Sequence, residues 1–252
     1  MFSKMALASK LAALQQVLFP GSCSLCREKL KPKQQTFCTN CISDLPYISH
    51  YCLRCAEPLP CVGICPECQK NPPNFRQCLT LCDYRYPISS AINRIKKNPH
   101  APETKQLSLL LADHLKGAYS RLEMPEIIIP VPSHPLKMAS RGFNQSYLIA
   151  QFLSTKLTNT LLRNDICIRK RLGKPQRLQT RQQRLKLLSA TFSTHNKSEI
   201  QGKSLALVDD VVTTGSTAKA ATASLLQAGA KSVDLWCIAK TSWHNRSSSI
   251  KI

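Results

Sequence analysis

Leu205-Ala206-Leu207-Val208-Asp209-Asp210-Val211-Val212-Thr213-Thr214-Gly215-Ser216-Thr217 is an apolar run that meets two acids and then a hydroxyl- and glycine-rich turn. The apolar part reads as a strand, and Ser216–Ala228 reads as the helix that follows. A strand of this kind delivers its loop to the carboxyl edge of a sheet, where open α/β folds bind ligands. Gly215 lets backbone come close to a phosphate. Thr213, Thr214, Ser216 and Thr217 add hydroxyl donors, while free amides and the helix dipole favour a dianion. Asp209 and Asp210 are acceptors suited to the two hydroxyls of a ribose ring. The stretch therefore predicts a pocket for a ribose 5-phosphate. The bland alternative is a capped helix after a strand, with solvated acids. A receiver domain also carries an acidic pair at a strand end, but on its first strand with four to follow; here one remains.

Working outward, helical spacing predicts a helix over about Thr104–Leu122 through Leu107, Leu110, Leu111 and Leu115. Ile127-Ile128-Ile129 is a short buried strand ending at Pro130, a helix follows over about Asn144–Leu157, and a strand lies around Ile166–Ile168. Val233–Ala239 is a last strand, and Gly229 stands where a left-handed helix stop is wanted. Strands alternating with helices of this length predict an α/β fold, a parallel sheet covered on both faces.

Composition changes near residue 75, at Lys70-Asn71-Pro72-Pro73-Asn74. Of 13 cysteines, all but Cys167 and Cys237 lie between Cys23 and Cys82. Four Cys-x-x-Cys pairs stand out: Cys23/Cys26, Cys38/Cys41, Cys52/Cys55 and Cys65/Cys68. Zinc takes four soft ligands in a tetrahedron, and two such knuckles supply them. Sequential tetrads are the simplest pairing; a crossed pairing uses the same ligands, and Cys61 is a substitute for Cys65. Cys78 and Cys82 read as small packed residues. So short a segment buries little apolar surface, and metal would supply on the order of 10 kcal/mol per site. All-thiolate sites are closed and structural. A secreted disulfide scaffold would not carry a large phosphate-binding domain behind it, so a reducing cytoplasm fits better. The predicted organisation is an N-terminal amphipathic helix over 1–22, a cysteine-rich metal module over 23–74, an α/β domain over 75–243 and a polar tail over 244–252.

The helix over 1–22 rests on Leu7, Leu11, Leu14 and Leu18, and Lys10 and Gln15-Gln16 interrupt what would otherwise resemble a signal peptide. No run of about 18 apolar residues suggests a membrane span. Thirty-five Lys and Arg against 14 Asp and Glu give a net charge of +21, which attracts polyanions. Between Arg163 and Lys186 a basic stretch, including Arg169, Lys170, Arg171 and Arg177, is opposed only by Asp165. It reads as a surface for single- or double-stranded DNA, as a loop covering a pyrophosphate, or as a solvated helix face. No aromatics interleave it for base stacking. His134 is either functional or a turn histidine satisfying backbone groups.

Val208–Thr217 resembles the phosphoribosyl pyrophosphate motif of type I phosphoribosyltransferases. Together with the cysteine pairs, Pro130-Val131-Pro132-Ser133-His134-Pro135 and Arg141-Gly142-Phe143-Asn144-Gln145, the chain is similar to ComF/GntX-like proteins from Phe19-Pro20 to Ala239-Lys240-Thr241. The resemblance implies a double zinc ribbon fused to a phosphoribosyltransferase domain, and a role in DNA uptake during natural transformation or in use of external DNA. It implies that Asp209 and Asp210 hold the ribose hydroxyls of phosphoribosyl pyrophosphate and that Thr213, Thr214, Gly215, Ser216 and Thr217 cradle its 5-phosphate. The loop after Ile129 falls where related enzymes bind pyrophosphate, with Lys137 and Arg141 as candidate neutralising charges and magnesium as the bridging ion. Either the chain transfers the sugar phosphate to an acceptor that the sequence does not name, or it is a non-catalytic, DNA-handling or sensing module among uptake proteins that retains the pocket.

Overall fold

The computed structural model describes residues 21–32, 34–170 and 191–243. The amphipathic helix over 1–22 lies outside them apart from its last two residues, as do the polar tail and Arg171–Lys186 of the basic stretch.

Five parallel strands make the central sheet in the order β1-β7-β6-β2-β3. They are β1 (Cys78–Asp83), β2 (Ile127–Pro130), β3 (Leu161–Leu162), β6 (Ser204–Val212) and β7 (Ser232–Lys240). The two longest lie side by side at the centre, where apolar residues on both faces let a strand be buried on both. Alternation along β6 sends Ala206 and Val208 into one core and Leu205 and Leu207 into the other.

Helices α3 (Ile88–Lys97), α4 (Pro102–Ala118) and α6 (Gln145–Lys156) fill the first core, through Ile88, Ile92, Leu107, Leu111 and Leu153. Helix α7 (Ser216–Gln227) covers the other face with Ala218, Ala221 and Leu225. It stops before Gly229, whose φ of +101° is the left-handed conformation the sequence called for. A seven-residue helix, α5 (Pro135–Arg141), follows the loop after β2.

One expectation needs correction. The strand expected around Ile166–Ile168 forms as β4 (Cys167–Arg169), and it is not in the parallel sheet. It pairs antiparallel with β5 (Phe192–Thr194) in a separate two-stranded sheet. Cys167 is 2% exposed but Ile168 is 39% exposed, so only one face of this strand is covered, as in an outlying ribbon and not in a central strand.

The cysteine-rich segment carries two short helices, α1 (Thr39–Ser43) and α2 (Pro66–Lys70). Its first half is welded to the sheet: Cys23, Phe37, Cys38 and Leu45 belong to the same core as α3 and α4. The segment after it runs along the outer edge of β1, where Ile48 N–H donates to Leu81 O and Asp83 N–H donates to Pro46 O. An exposed sheet edge is thereby covered.

Candidate functional site

β6 runs on to Val212, so the acidic pair sits inside the strand and its two side chains diverge. Asp210 is 5% exposed and its Oδ2 lies 3.0 Å from Lys96 Nζ of α3. Asp209 Oδ1 accepts from Ser146 Oγ and from the Asp210 N–H, each at 2.9 Å. Burial, and then the adjoining Asp210 carboxylate, pushes the Asp209 carboxyl up to about 8.

Beyond Val212 the chain turns through exposed Thr213 and Thr214 to Gly215, whose φ is +73°. A side chain is strained in that conformation, so the turn depends on glycine. No side chain caps α7 from its N-cap position. Thr214 Oγ1 accepts the Ser216 N–H at 3.3 Å and donates to Ser216 Oγ at 3.1 Å. The first amides of a helix have no acceptor within it, and those of α7 border a hollow of about 40 Å³ between Asp209 and Ser216. This is an anion cradle in form: a helix start, a glycine turn and hydroxyls.

Asp209, Asp210, Thr213 and Thr217 also border a larger pocket of about 320 Å³, with Ser133, His134 and Lys137 on its far wall. Lys137 is thus brought to the acidic pair. Arg141 is not: it borders a neighbouring hollow with Asn93 and Lys96, and its Nη1 donates to Gln145 Oε1 at 3.4 Å. His134 caps α5, its Nδ1 accepting the Leu136 N–H at 3.2 Å, which is the backbone-satisfying role.

Among the polar residues of this pocket that the sequence does not mark as site residues are Lys96, Ser146 and Arg169. Lys96 sits on α3, whose Ile88, Ala91, Ile92 and Ile95 follow helical spacing and could have been read. Ser146 stands two residues after Asn144, inside the loop-to-helix junction. Arg169 counted only as part of the basic stretch; burial lowers its pKa, against the pull of the Asp209 charge.

Across Thr213 from that pocket lies a second cleft of about 490 Å³. Phe75, Val212 and Gly215 line its floor, α2 of the cysteine module contributes Pro66 and Glu67, and Trp243 closes one side.

The cysteines form two sets, Cys23/Cys26/Cys38/Cys41 and Cys52/Cys55/Cys65/Cys68, with the Sγ atoms of each within 4.8 Å of one another. The structure therefore groups them sequentially, and Cys61 is exposed outside both sets. Metal–sulfur bonds of about 2.3 Å in a tetrahedron give sulfur–sulfur edges of about 3.8 Å. Cys26 and Cys38 Sγ are 3.7 Å apart, as are Cys55 and Cys65 Sγ. Backbone amides of Cys38, Cys41, Cys65 and Cys68 point at the sulfurs of Cys23, Cys38, Cys52 and Cys65, stabilising thiolates. The residues fit zinc, one ion for each set, with no position left open for water.

Residues 14–69 match a family described as a double zinc ribbon domain, and residues 144–249 match a phosphoribosyl transferase domain. DNA utilization protein YhgH of Shigella flexneri is 32% identical over 225 residues, which cover 88% of this chain and 98% of that protein. The chain belongs to the ComF/GntX-like family. Competence protein F of Haemophilus influenzae is 29% identical over 222 residues, covering 87% of this chain and 90% of that one. A solved structure of glutamine phosphoribosylpyrophosphate amidotransferase from B. subtilis aligns with a TM-score of 0.36 at 18% identity, over 53% of this chain and 25% of that chain. Among the described residues, no helix is long and apolar enough to cross a membrane.

Proposed function

We propose that the pocket at the end of β6 binds phosphoribosyl pyrophosphate, or a related ribose 5-phosphate, and that the protein serves DNA uptake or utilisation in the cytoplasm. The observation that carries this reading is the junction of β6 and α7. There two carboxylates, a positive-φ glycine and the start of a helix follow one another between Asp209 and Ser216. In this reading the amides and hydroxyls of Thr213–Thr217 hold the 5-phosphate dianion. Asp209 and Asp210 accept from the ribose hydroxyls. Lys137 and Lys96 supply charge for the pyrophosphate end, with Arg141 one step behind them. A magnesium ion, when bound, would neutralise pyrophosphate oxygens, and the buried carboxylates are the chain's candidate ligands for it.

Transfer of the sugar phosphate is favoured over mere sensing by the second cleft. A nucleophile must form its bond to C1 as the C1–oxygen bond breaks and the electron pair leaves with pyrophosphate. That needs room for an acceptor beside the donor, and the cleft of about 490 Å³ adjoining Thr213 offers space for one. The remaining role of the chain is to position both reactants and to stabilise developing charge.

Isothermal titration with phosphoribosyl pyrophosphate and magnesium tests the assignment. Saturable binding that disappears in Asp209→Ala/Asp210→Ala supports it, and no binding by the unaltered protein refutes it. Binding without pyrophosphate release across a panel of bases would favour the sensing module. A DNA affinity that falls steeply with salt is expected if the basic surface handles single-stranded DNA.

A further inference from the structure

The two ribbons are one motif used twice, and they part company at one side chain. In each, the first cysteine's N–H reaches a glutamate carbonyl five residues on: Cys23 to Glu28 at 2.7 Å and Cys52 to Glu57 at 2.8 Å. The residue before each glutamate has a positive φ, +70° at Arg27 and +57° at Ala56. Yet Glu28 is exposed, while Glu57 is 2% exposed.

Glu57 points out of its ribbon into the phosphate-binding half of the molecule. Its Oε2 lies 3.2 Å from Lys240 Nζ, with both side chains almost wholly buried, and its Oε1 accepts the Trp243 N–H at 2.6 Å. Lys240 ends β7, and its ammonium donates to Thr213 O at 2.9 Å and to Thr241 O at 3.3 Å. Thr213 opens the anion cradle. A continuous path of polar contacts, buried at Glu57 and Lys240, thus runs from the Cys52–Cys55 turn to Thr213. Burying two opposite charges carries a desolvation cost that other hydrogen bonds must offset. The ribbon does not require it, since Glu28 holds the same turn from solvent.

We propose that Glu57 and Lys240 are positioning residues that couple the second metal set to the phosphate loop. Metal at Cys52/Cys55/Cys65/Cys68 and a sugar phosphate at Thr213–Thr217 then strengthen each other's binding. The inference rests on the ribose-phosphate reading of the loop. Metal fixes Cys52 and Cys55, which lead directly into the strained residue Ala56 and so aim Glu57. Glu57 holds the Lys240 ammonium, and Lys240 holds the Thr213 carbonyl, which fixes the peptide planes leading to Gly215. Without metal the turn is released, and Lys240 is left as a buried cation with no opposite charge. The corresponding glutamate of the first set, Glu28, stands in solvent and makes no such link.

Such coupling is reciprocal, so it can be read from both ends. Isothermal titration of ribose 5-phosphate into the zinc-loaded full chain gives one end; equilibrium competition with a chelating dye for zinc gives the other. Cys55→Ser is expected to weaken ribose 5-phosphate about tenfold, within the usual range of coupling factors, and Cys26→Ser less than about twofold. Saturating ribose 5-phosphate is expected to raise the retention of one of the two zinc ions by the same factor. In Glu57→Leu/Lys240→Met, which replaces the ion pair by apolar groups, both zinc ions stay bound and ribose 5-phosphate no longer alters their retention. That variant decides alone if Cys55→Ser does not fold. Equal weakening by Cys55→Ser and Cys26→Ser, or zinc retention indifferent to ribose 5-phosphate in the unaltered chain, overturns the coupling. Failure of the unaltered chain to bind ribose 5-phosphate at all overturns the ribose-phosphate reading, and the coupling with it.

Discussion

The first and second ribbons share their cysteine spacing, their amide-to-sulfur bonds and a strained turn, but the protein spends them differently. The first ribbon drives Phe37, 1% exposed, into the core shared with α3 and α4. Its counterpart in the second ribbon, Ile64, also immediately precedes a metal-set cysteine and is 37% exposed. The second ribbon instead sends a carboxylate inward to meet Lys240, whose ammonium donates to Thr213 O. One metal-stabilised turn can therefore serve packing in one place and site geometry in another, because metal carries the local folding cost and frees the outer side chains. The ribbons are not interchangeable decorations on an α/β domain.

Substitutions at equivalent positions sharpen this contrast. Phe37→Ala is expected to cost about 3–5 kcal/mol in chemical denaturation, and Ile64→Ala about 0.5 kcal/mol or less. Equal costs would break the division of labour. Next in size, Glu57→Ala leaves Lys240 buried without its partner and is expected to cost about 3 kcal/mol, whereas Glu28→Ala stays within about 0.5 kcal/mol.

An effect of a different kind concerns pH and the acidic pair. The folded-state carboxyl of Asp209, raised to about 8, holds a proton that the unfolded chain has already released. Stability should therefore decline as pH rises from about 4 to 8, then level off. Asp209→Asn should remove that part of the slope, as thermal melts across this range would reveal. The least effect is expected from Cys61→Ser: two zinc ions per chain by metal analysis, and an unchanged melting temperature.

Much of this was legible in the sequence because the signals were local and strong. The run from Leu205 to Thr217 joined an apolar strand, two acids and a glycine turn, and the strand, turn and helix form where that run places them. Cys-x-x-Cys spacing picked out the eight cysteines, although their grouping into sequential sets is a property of tertiary structure. β1 was not legible as a strand, but its Cys78 and Cys82 are fully buried, as their reading as small packed residues expects. β4 was read as one more strand of the parallel sheet because three residues are too few to show which face is covered. Lys96, Ser146 and Lys240 were hidden for a different reason. Each is an ordinary polar residue on a helix or strand, and only the crossing of elements brings it to the loop. Glu57 was hidden most deeply, since nothing in the local sequence separates it from solvent-exposed Glu28.

The claim on which all else depends is that the turn from Thr213 to Thr217 grips a phosphate dianion. Phosphorus NMR of ribose 5-phosphate, followed as the full chain is added, reads this at the atom concerned. The account predicts a saturable change in the phosphate resonance, with a lowered second phosphate pKa as amides and helix dipole favour the dianion, and its loss in Gly215→Val. A resonance that neither moves nor broadens at stoichiometric protein would contradict it.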